Sequence, residues 1–167
     1  ERLIEGTVRE DAGAEIRNGI KSLVKWGVCP ETMWPYDIKR YRQKPGVRCY
    51  KKALDNRITS YQRLDNRNLH QLQSCLAEGR PFVFGFAVFE SFEGDEVART
   101  GKFPMPDQNE KLLGGHAVMG VGYDDEKQEL IVRNSWGEKW GDGGYYYMPF
   151  SFVTDPNFCD DFWMIRQ

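Results

Sequence analysis

The chain has 167 residues, enough to bury a substantial core as one domain or as two small lobes. Lys and Arg total 23 against 25 Asp and Glu, a formal net charge of -2 with no long run of one sign, so the basic footprint of a nucleic-acid binder is absent. The longest apolar run, Pro81 to Phe89, is interrupted by Gly85 and is far too short to span a bilayer; it suits a buried strand.

In chain order, residues 14 to 26 read as a helix. Ile16, Ile20, Leu23 and Val24 form one stripe, Arg17, Lys21 and Lys25 lie opposite, and Gly27 supplies the stop before Pro30. An irregular aromatic stretch begins at Met33-Trp34-Pro35-Tyr36, and Pro45-Gly46 marks a loop. Ile58 to Leu64 reads as a strand. A second helix carries Leu69, Leu72 and Leu76, capped by Asp65 or Asn66 and ended by Gly79. From Pro81 the pattern is β: Pro81 to Phe89, His116 to Tyr123, Glu129 to Asn134, Tyr145 to Met148 and Phe162 to Ile165. The polar run Asp124-Asp125-Glu126-Lys127 is a turn between two of these strands. The fold class is therefore α+β, with a mostly helical first third and an antiparallel remainder.

The four cysteines, Cys29, Cys49, Cys75 and Cys159, include no Cys-x-x-Cys pair, and the two histidines are His70 and His116. A structural zinc site is not expected. The even count is compatible equally with buried thiols and with a disulfide. The chain starts at Glu1, without the basic and apolar segments of a signal peptide; we expect a processed product or a fragment, and no compartment follows.

Taken singly, the chemistry-bearing residues have ordinary readings. His70 lies beside a leucine stripe on a surface helix, a histidine at a strand start is usually structural, and an asparagine at a strand end is usually a turn residue. Trp136 and Trp140 read as core or groove aromatics, and glycines 137, 141, 143 and 144 suggest a tight loop with positive φ. Together they say more. A histidine at the start of one strand and an asparagine at the end of the next meet across a hairpin, and an imidazole held in that way is poised for proton transfer to a nucleophile.

The segment from Gly114 to Tyr145 resembles the carboxyl-terminal domain of the papain-like cysteine peptidases (clan CA, family C1). It carries Gly-His-Ala-Val at 115–118, Gly122-Tyr123, Asn134-Ser135-Trp136-Gly137 and Trp140-Gly141-Asp142-Gly143-Gly144-Tyr145, in the family's order. Trp34-Pro35-Tyr36 also looks like the family's segment after the second helix of its helical lobe. Asp11-Ala12-Gly13-Ala14 falls where the family has Cys-x-Gly-Gly. Asp11 stands in place of that cysteine, so the family's disulfide there cannot form.

The resemblance implies a papain-like two-lobe fold, with residues 1–57 a partial helical lobe and 58–167 a β lobe. It implies His116 and Asn134 as catalytic residues, Trp136 as a cover over their contact, and Trp140 as an apolar wall on the leaving-group side. The backbone of Gly13 would pair with an extended peptide, and Gly85, Gly114, Gly115 and Ala117 would line the substrate site. No metal or organic cofactor is implied; the partner is a peptide or protein substrate. The family's nucleophile, in a Gln-x-x-x-Cys-x-x-Cys-Trp segment, has no counterpart among the four cysteines. We expect it on an upstream segment or a companion chain, which would also cover the apolar stripe of residues 14 to 26. The alternative is a catalytically inactive papain-fold module that binds peptides or proteins.

Overall fold

A computed structural model describes residues 5–10 and 13–167. Asp11 and Ala12 of the turn discussed above, and residues 1–4, lie outside the described residues. The chain forms two compact units, the first reaching Tyr61 and including Ile165–Gln167, the second running from Gln62 to Met164.

In the first unit, helix α1 spans Ile16–Lys25. The Glu5 carboxylate ties its start by accepting from the Glu15 N–H at 2.9 Å and from Asn18 Nδ2 at 3.2 Å. Gly27 ends it at φ 72°, donating its N–H to the Leu23 carbonyl at 3.0 Å. Of the apolar stripe, Ile20 is buried, Ile16 and Leu23 are half-buried and Val24 is exposed. Two single 3-10 turns follow, Glu31–Met33 and Ile38–Arg40, the second capped by the Asp37 side chain on the Lys39 N–H. A helix that the residue pattern did not announce, α2 at Val47–Ala53, then runs into a 3-10 turn at Leu54–Asn56 and buries Cys49 and Ala53.

The second unit is built on an antiparallel sheet. The strands of the chain are β1 (Ser60–Arg63), β2 (Phe82–Phe89), β3 (Leu112–Asp124), β4 (Glu129–Arg133), β5 (Tyr145–Pro149) and β6 (Cys159–Arg166). They lie in the order β1-β6-β2-β3-β4-β5. β2 is central, and its alternate residues Phe82, Phe84, Phe86 and Val88 are buried. With Leu72, Phe92, Leu130, Val132, Tyr146, Met148, Phe152 and Phe162 they make one core, each large side chain contributing roughly 1.5–3 kcal/mol on burial. Helix α3 (Leu69–Ala77) covers it with Leu72, Cys75 and Leu76. The shorter helices α4 (Asp95–Thr100) and α5 (Phe150–Val153) complete the unit.

Three local features differ from expectation. Helix α3 is capped by Asn68, whose side chain accepts from the Gln71 N–H at 3.1 Å, rather than by Asp65 or Asn66. Asn66 is used elsewhere, donating Nδ2 to the Val153 and Cys159 carbonyls. Strand β3 begins at Leu112, so His116 is its fifth residue and not its first. Leu112, Gly114 and Gly115 pair with Phe89, Val88 and Ala87, and that ladder extends the strand through glycines that read as punctuation. Strand β6 begins at Cys159 because Asp161, at φ 56°, forms a bulge that carries the pairing with β2 past two acidic residues.

All four cysteines are free thiols. Among the described residues no helix is long and apolar enough to cross a membrane, and no cluster of three His, Cys, Asp or Glu side chains is arranged for a metal.

Candidate active site

The β3–β4 hairpin fixes the site. Its turn is closed by Asp124, whose carboxylate accepts from the N–H groups of Lys127 at 3.0 Å and Glu126 at 3.1 Å. Those bonds, the one from Lys127 foremost, hold the Asp124 carboxyl below its ordinary range. Register then carries Met119 opposite Arg133, and the chain leaves β4 directly into Asn134. A bulge between Gly120 and Gly122 adds twist on the way.

His116 Nε2 lies 2.9 Å from Asn134 Oδ1. The same oxygen accepts from the Ser135 N–H at 2.8 Å. A backbone N–H can only donate, so the atom facing it is the amide oxygen, and His116 must donate through Nε2. The ring's Nδ1 is thereby left on the side away from Asn134. The Asn134 N–H donates to the Gly144 carbonyl at 3.0 Å, and Nδ2 of its buried side chain makes no hydrogen bond.

Above this pair sits an aromatic cluster. Trp136 stacks on the His116 ring, 5.0 Å between centroids and 20° between planes. Trp140 meets Trp136 edge-on at 5.0 Å. Phe92 contacts both indoles at 5.6 Å, and Phe86, opposite His116 in the ladder, packs 5.8 Å from the imidazole. Trp136 itself remains 42% exposed, so it screens one face of the His116–Asn134 bond while presenting its other face to solvent. The loop holding both indoles turns on glycines 137, 141, 143 and 144, all at positive φ. At Gly141 the requirement is steric as well, because a Cβ would overlap the Tyr145 carbonyl.

The remaining candidate residues distribute as follows. Gly85 pairs with Ala117 and shares with it one face of the sheet, while Phe86, Gly114 and His116 belong to the other by strand alternation. Gly114, Gly115 and Ala117 are exposed, and Gly114 has open space around it. Gly13 belongs to the first unit and is exposed with open space on its Cα. His70 is exposed on α3, 3.4 Å from Ser74 Oγ. Phe86 and Phe92 were not singled out from sequence. The strict alternation of β2 points Phe86 inward, but nothing local marks Phe92, which lies in a 3-10 turn.

The second unit's own cysteines are enclosed. Cys75 is buried and donates to the Arg80 carbonyl at 3.2 Å. Cys159 is 1% exposed, and burial first, then Asp160 and Asp155, pushes its thiol far up. A thiol held in its protonated form is a poor nucleophile.

An antiparallel sheet thus presents an oriented imidazole, an asparagine partner and an indole cover, an arrangement that can hold an imidazole for proton transfer. The papain family cysteine protease pattern matches residues 10–158, and the chain belongs to that family. A peptidase C1-like protein of Acanthamoeba polyphaga mimivirus is 42% identical over 174 residues, covering 100% of this chain and 56% of the relative. Cysteine proteinase 2 of Entamoeba histolytica is 29% identical over 140 residues, covering 82% of this chain and 41% of the relative. Among solved structures, xylellain, a cysteine protease from Xylella fastidiosa, superposes with a TM-score of 0.91 at 44% identity, over 100% of this chain and 66% of that one. A digestive procathepsin L2 proteinase from Tenebrio molitor larval midgut shares the fold, with a TM-score of 0.68 at 19% identity, over 95% of this chain and 49% of that one. The chain thus spans about half the length of the curated relatives it matches.

Proposed function

We propose that this chain is the His- and Asn-bearing part of a peptidase that cleaves peptide bonds through a thioester acyl-enzyme. The nucleophilic cysteine is contributed by an upstream segment or a companion chain. The observation that carries the reading is the His116 Nε2 to Asn134 Oδ1 contact of 2.9 Å beneath the Trp136 ring. With Nε2–H committed to Asn134, Nδ1 is the nitrogen free to exchange a proton with a thiol. His116 as imidazolium stabilises the thiolate, and the thiolate attacks the scissile carbonyl. His116 gives its proton to the leaving amine, and the thioester forms as the C–N bond breaks. His116 then takes a proton from water as that water attacks the thioester, which releases the acid and restores the thiolate.

Asn134 keeps the ring in one tautomer and orientation. Trp136 excludes water from that bond, and Trp140 offers an apolar wall to the leaving side. Gly85, Gly114, Gly115 and Ala117 leave room for substrate side chains, and Gly13 lets an extended peptide approach its backbone closely. In this reading residues 1–57 are part of a helical lobe, and 58–167 the β lobe that bears the catalytic pair.

The alternative, a non-catalytic module that binds peptides, has only the lack of a suitable thiol among these residues in its favour. It gives no reason for an imidazole oriented and shielded in this manner. The test uses the full-length protein with a fluorogenic peptide. Turnover should be abolished by a thiol-alkylating epoxide, and His116→Ala should lower it by several orders of magnitude, since members of such a unit are each needed. The 167-residue chain by itself should hydrolyse no peptide. Turnover unchanged in His116→Ala would reject the assignment; peptide binding without turnover in the unmodified protein would establish the alternative.

A further inference from the structure

The near balance of charge over the whole chain hides a local excess. Residues 38 to 54 hold seven Lys and Arg and no Asp or Glu, so against the net charge of -2 the remainder carries -9. The segment belongs to the first unit. Helix α2 turns Cys49 and Ala53 inward, which leaves Val47, Arg48, Lys51 and Lys52 on its outer side. The Cys49 thiol reaches the Met33 carbonyl at 3.7 Å, Arg40 lies 3.7 Å over the Trp34 ring, and Lys44 lies 5.4 Å over the Tyr50 ring. Those contacts fold residues 33 to 52 into one local surface. Among the described residues, Lys52 alone of the seven bases meets a carboxylate, that of Asp55 at 2.9 Å. Lys39, Arg42, Lys44, Arg48 and Lys51 are exposed, and beside them in the chain stand two aliphatic side chains, Ile38 and Val47, that are 70% and 72% exposed.

We propose that this surface docks on a bilayer carrying anionic phospholipid headgroups, without spanning it. The bases meet headgroup phosphates while Ile38 and Val47 enter the apolar boundary beneath them. Tyr36, also exposed, suits the level of the headgroups. The remainder of the chain, at -9, is repelled by the same surface, which confines the contact to this segment.

A nucleic acid or an acidic polysaccharide fits this surface less well. Nucleic-acid strands stack their bases on open aromatic faces, yet Arg40, Arg42 and Lys44 each lie over one ring, on Trp34, Tyr41 and Tyr50. Neither partner gains from exposed aliphatic side chains. A single exposed aliphatic is ordinary; the place of these two among uncompensated bases is what points to lipid.

The test is co-sedimentation of the full-length protein with vesicles of phosphatidylcholine, alone or in equimolar mixture with phosphatidylglycerol. Binding is expected to the mixed vesicles only, and should weaken steeply as salt is raised. Each base near such a surface strengthens binding on the order of fivefold, so Lys39→Gln, Arg48→Gln and Lys51→Gln together should weaken it on the order of 100-fold. Ile38→Ser with Val47→Ser, at unchanged charge, should weaken it about tenfold. All five positions are exposed, and an unchanged melting midpoint establishes that each variant is folded. Sedimentation of the unmodified protein with neither kind of vesicle, or with both alike, would overturn the proposal. So would a serine variant that binds the mixed vesicles undiminished, since the surface would then take any polyanion, polyphosphate included. Sedimentation is read without substrate, so its outcome is separate from that of the function proposed above.

Discussion

Replacing Tyr146 by Phe should stabilise the protein. Tyr146 is fully buried in β5, and its hydroxyl has no hydrogen-bond partner. A buried hydroxyl stripped of water and left unpaired costs about 1–3 kcal/mol. Phenylalanine removes that cost and keeps the ring. The ring carries the packing, with centroids 5.2 Å from Phe92, 5.7 Å from Trp140, 6.0 Å from Phe103 and 6.2 Å from Phe86. Loss of one oxygen leaves a void smaller than a methyl group, which offsets less than about 1 kcal/mol. The net gain is therefore about 1–2 kcal/mol, read as a higher denaturation midpoint at unchanged slope. Turnover should be unaltered, since the support for Trp140 is retained.

The gap should widen with pH. Burial, then the neighbouring Cys159, raises the Tyr146 phenol in the folded state, so its neutral form is favoured there. That contribution is intact below the unfolded value of about 10 and fades as pH climbs above it, in the unmodified protein alone. A Phe variant less stable by about 1 kcal/mol or more would show that the hydroxyl has a partner, and would refute the reasoning.

On the peptidase reading proposed above, Trp136→Ala should lower kcat/KM of the full-length protein about 10- to 100-fold, because water then competes for a charge-assisted bond worth about 1.5–3 kcal/mol. Its large exposure limits the accompanying stability loss, and unchanged kinetics would remove its shielding role. Gly141→Ala should cost about 1–3 kcal/mol in thermal unfolding, since φ 62° and the Tyr145 carbonyl both oppose a Cβ; an unchanged midpoint would contradict this. Hydrogen bonds from Ser91 foremost, and from the Asp107 N–H, lower the Glu110 carboxyl. Its hold on the two amides is thus complete above the unfolded carboxyl value of about 4.3, and is lost as pH falls through the lower folded one. Amide-exchange protection at Ser91 and Asp107 should drop in that acid range and be absent at every pH in Glu110→Ala; protection indifferent to both would disprove the coupling.

What was legible in the sequence was what strand periodicity and turn chemistry dictate. The acidic turn at Asp124 and the asparagine immediately after β4 suffice to bring Asn134 to His116. The glycines of the 137–144 loop announce their own conformations. Illegible were features decided by tertiary packing. Helix α2 has seven residues behind Pro45-Gly46, and it reads as loop until Cys49 and Ala53 are seen to be buried. The start of β3 hides in Gly114-Gly115, where pairing with β2 overrides a weak strand preference. The helix-cap assignment failed because Asx side chains at 65, 66 and 68 are interchangeable by type and are distinguished only by where each can reach. Phe92 lies outside any repeating pattern, so its place beneath two indoles follows from the fold alone.

His116 and Asn134 are 18 residues apart, joined by a single hairpin. Contacts this local need little loop closure, and hairpins of the kind form on the microsecond scale. The His116–Asn134 pair therefore takes its geometry from a short stretch of chain. The thiol-bearing part proposed above, by contrast, would have to be delivered over a longer separation in sequence or from another molecule. In the reading proposed above, such a division would place the commitment to activity late in assembly. On that reading, a chain not yet joined to its thiol-bearing part would carry an oriented imidazole with no nucleophile to serve until the parts meet.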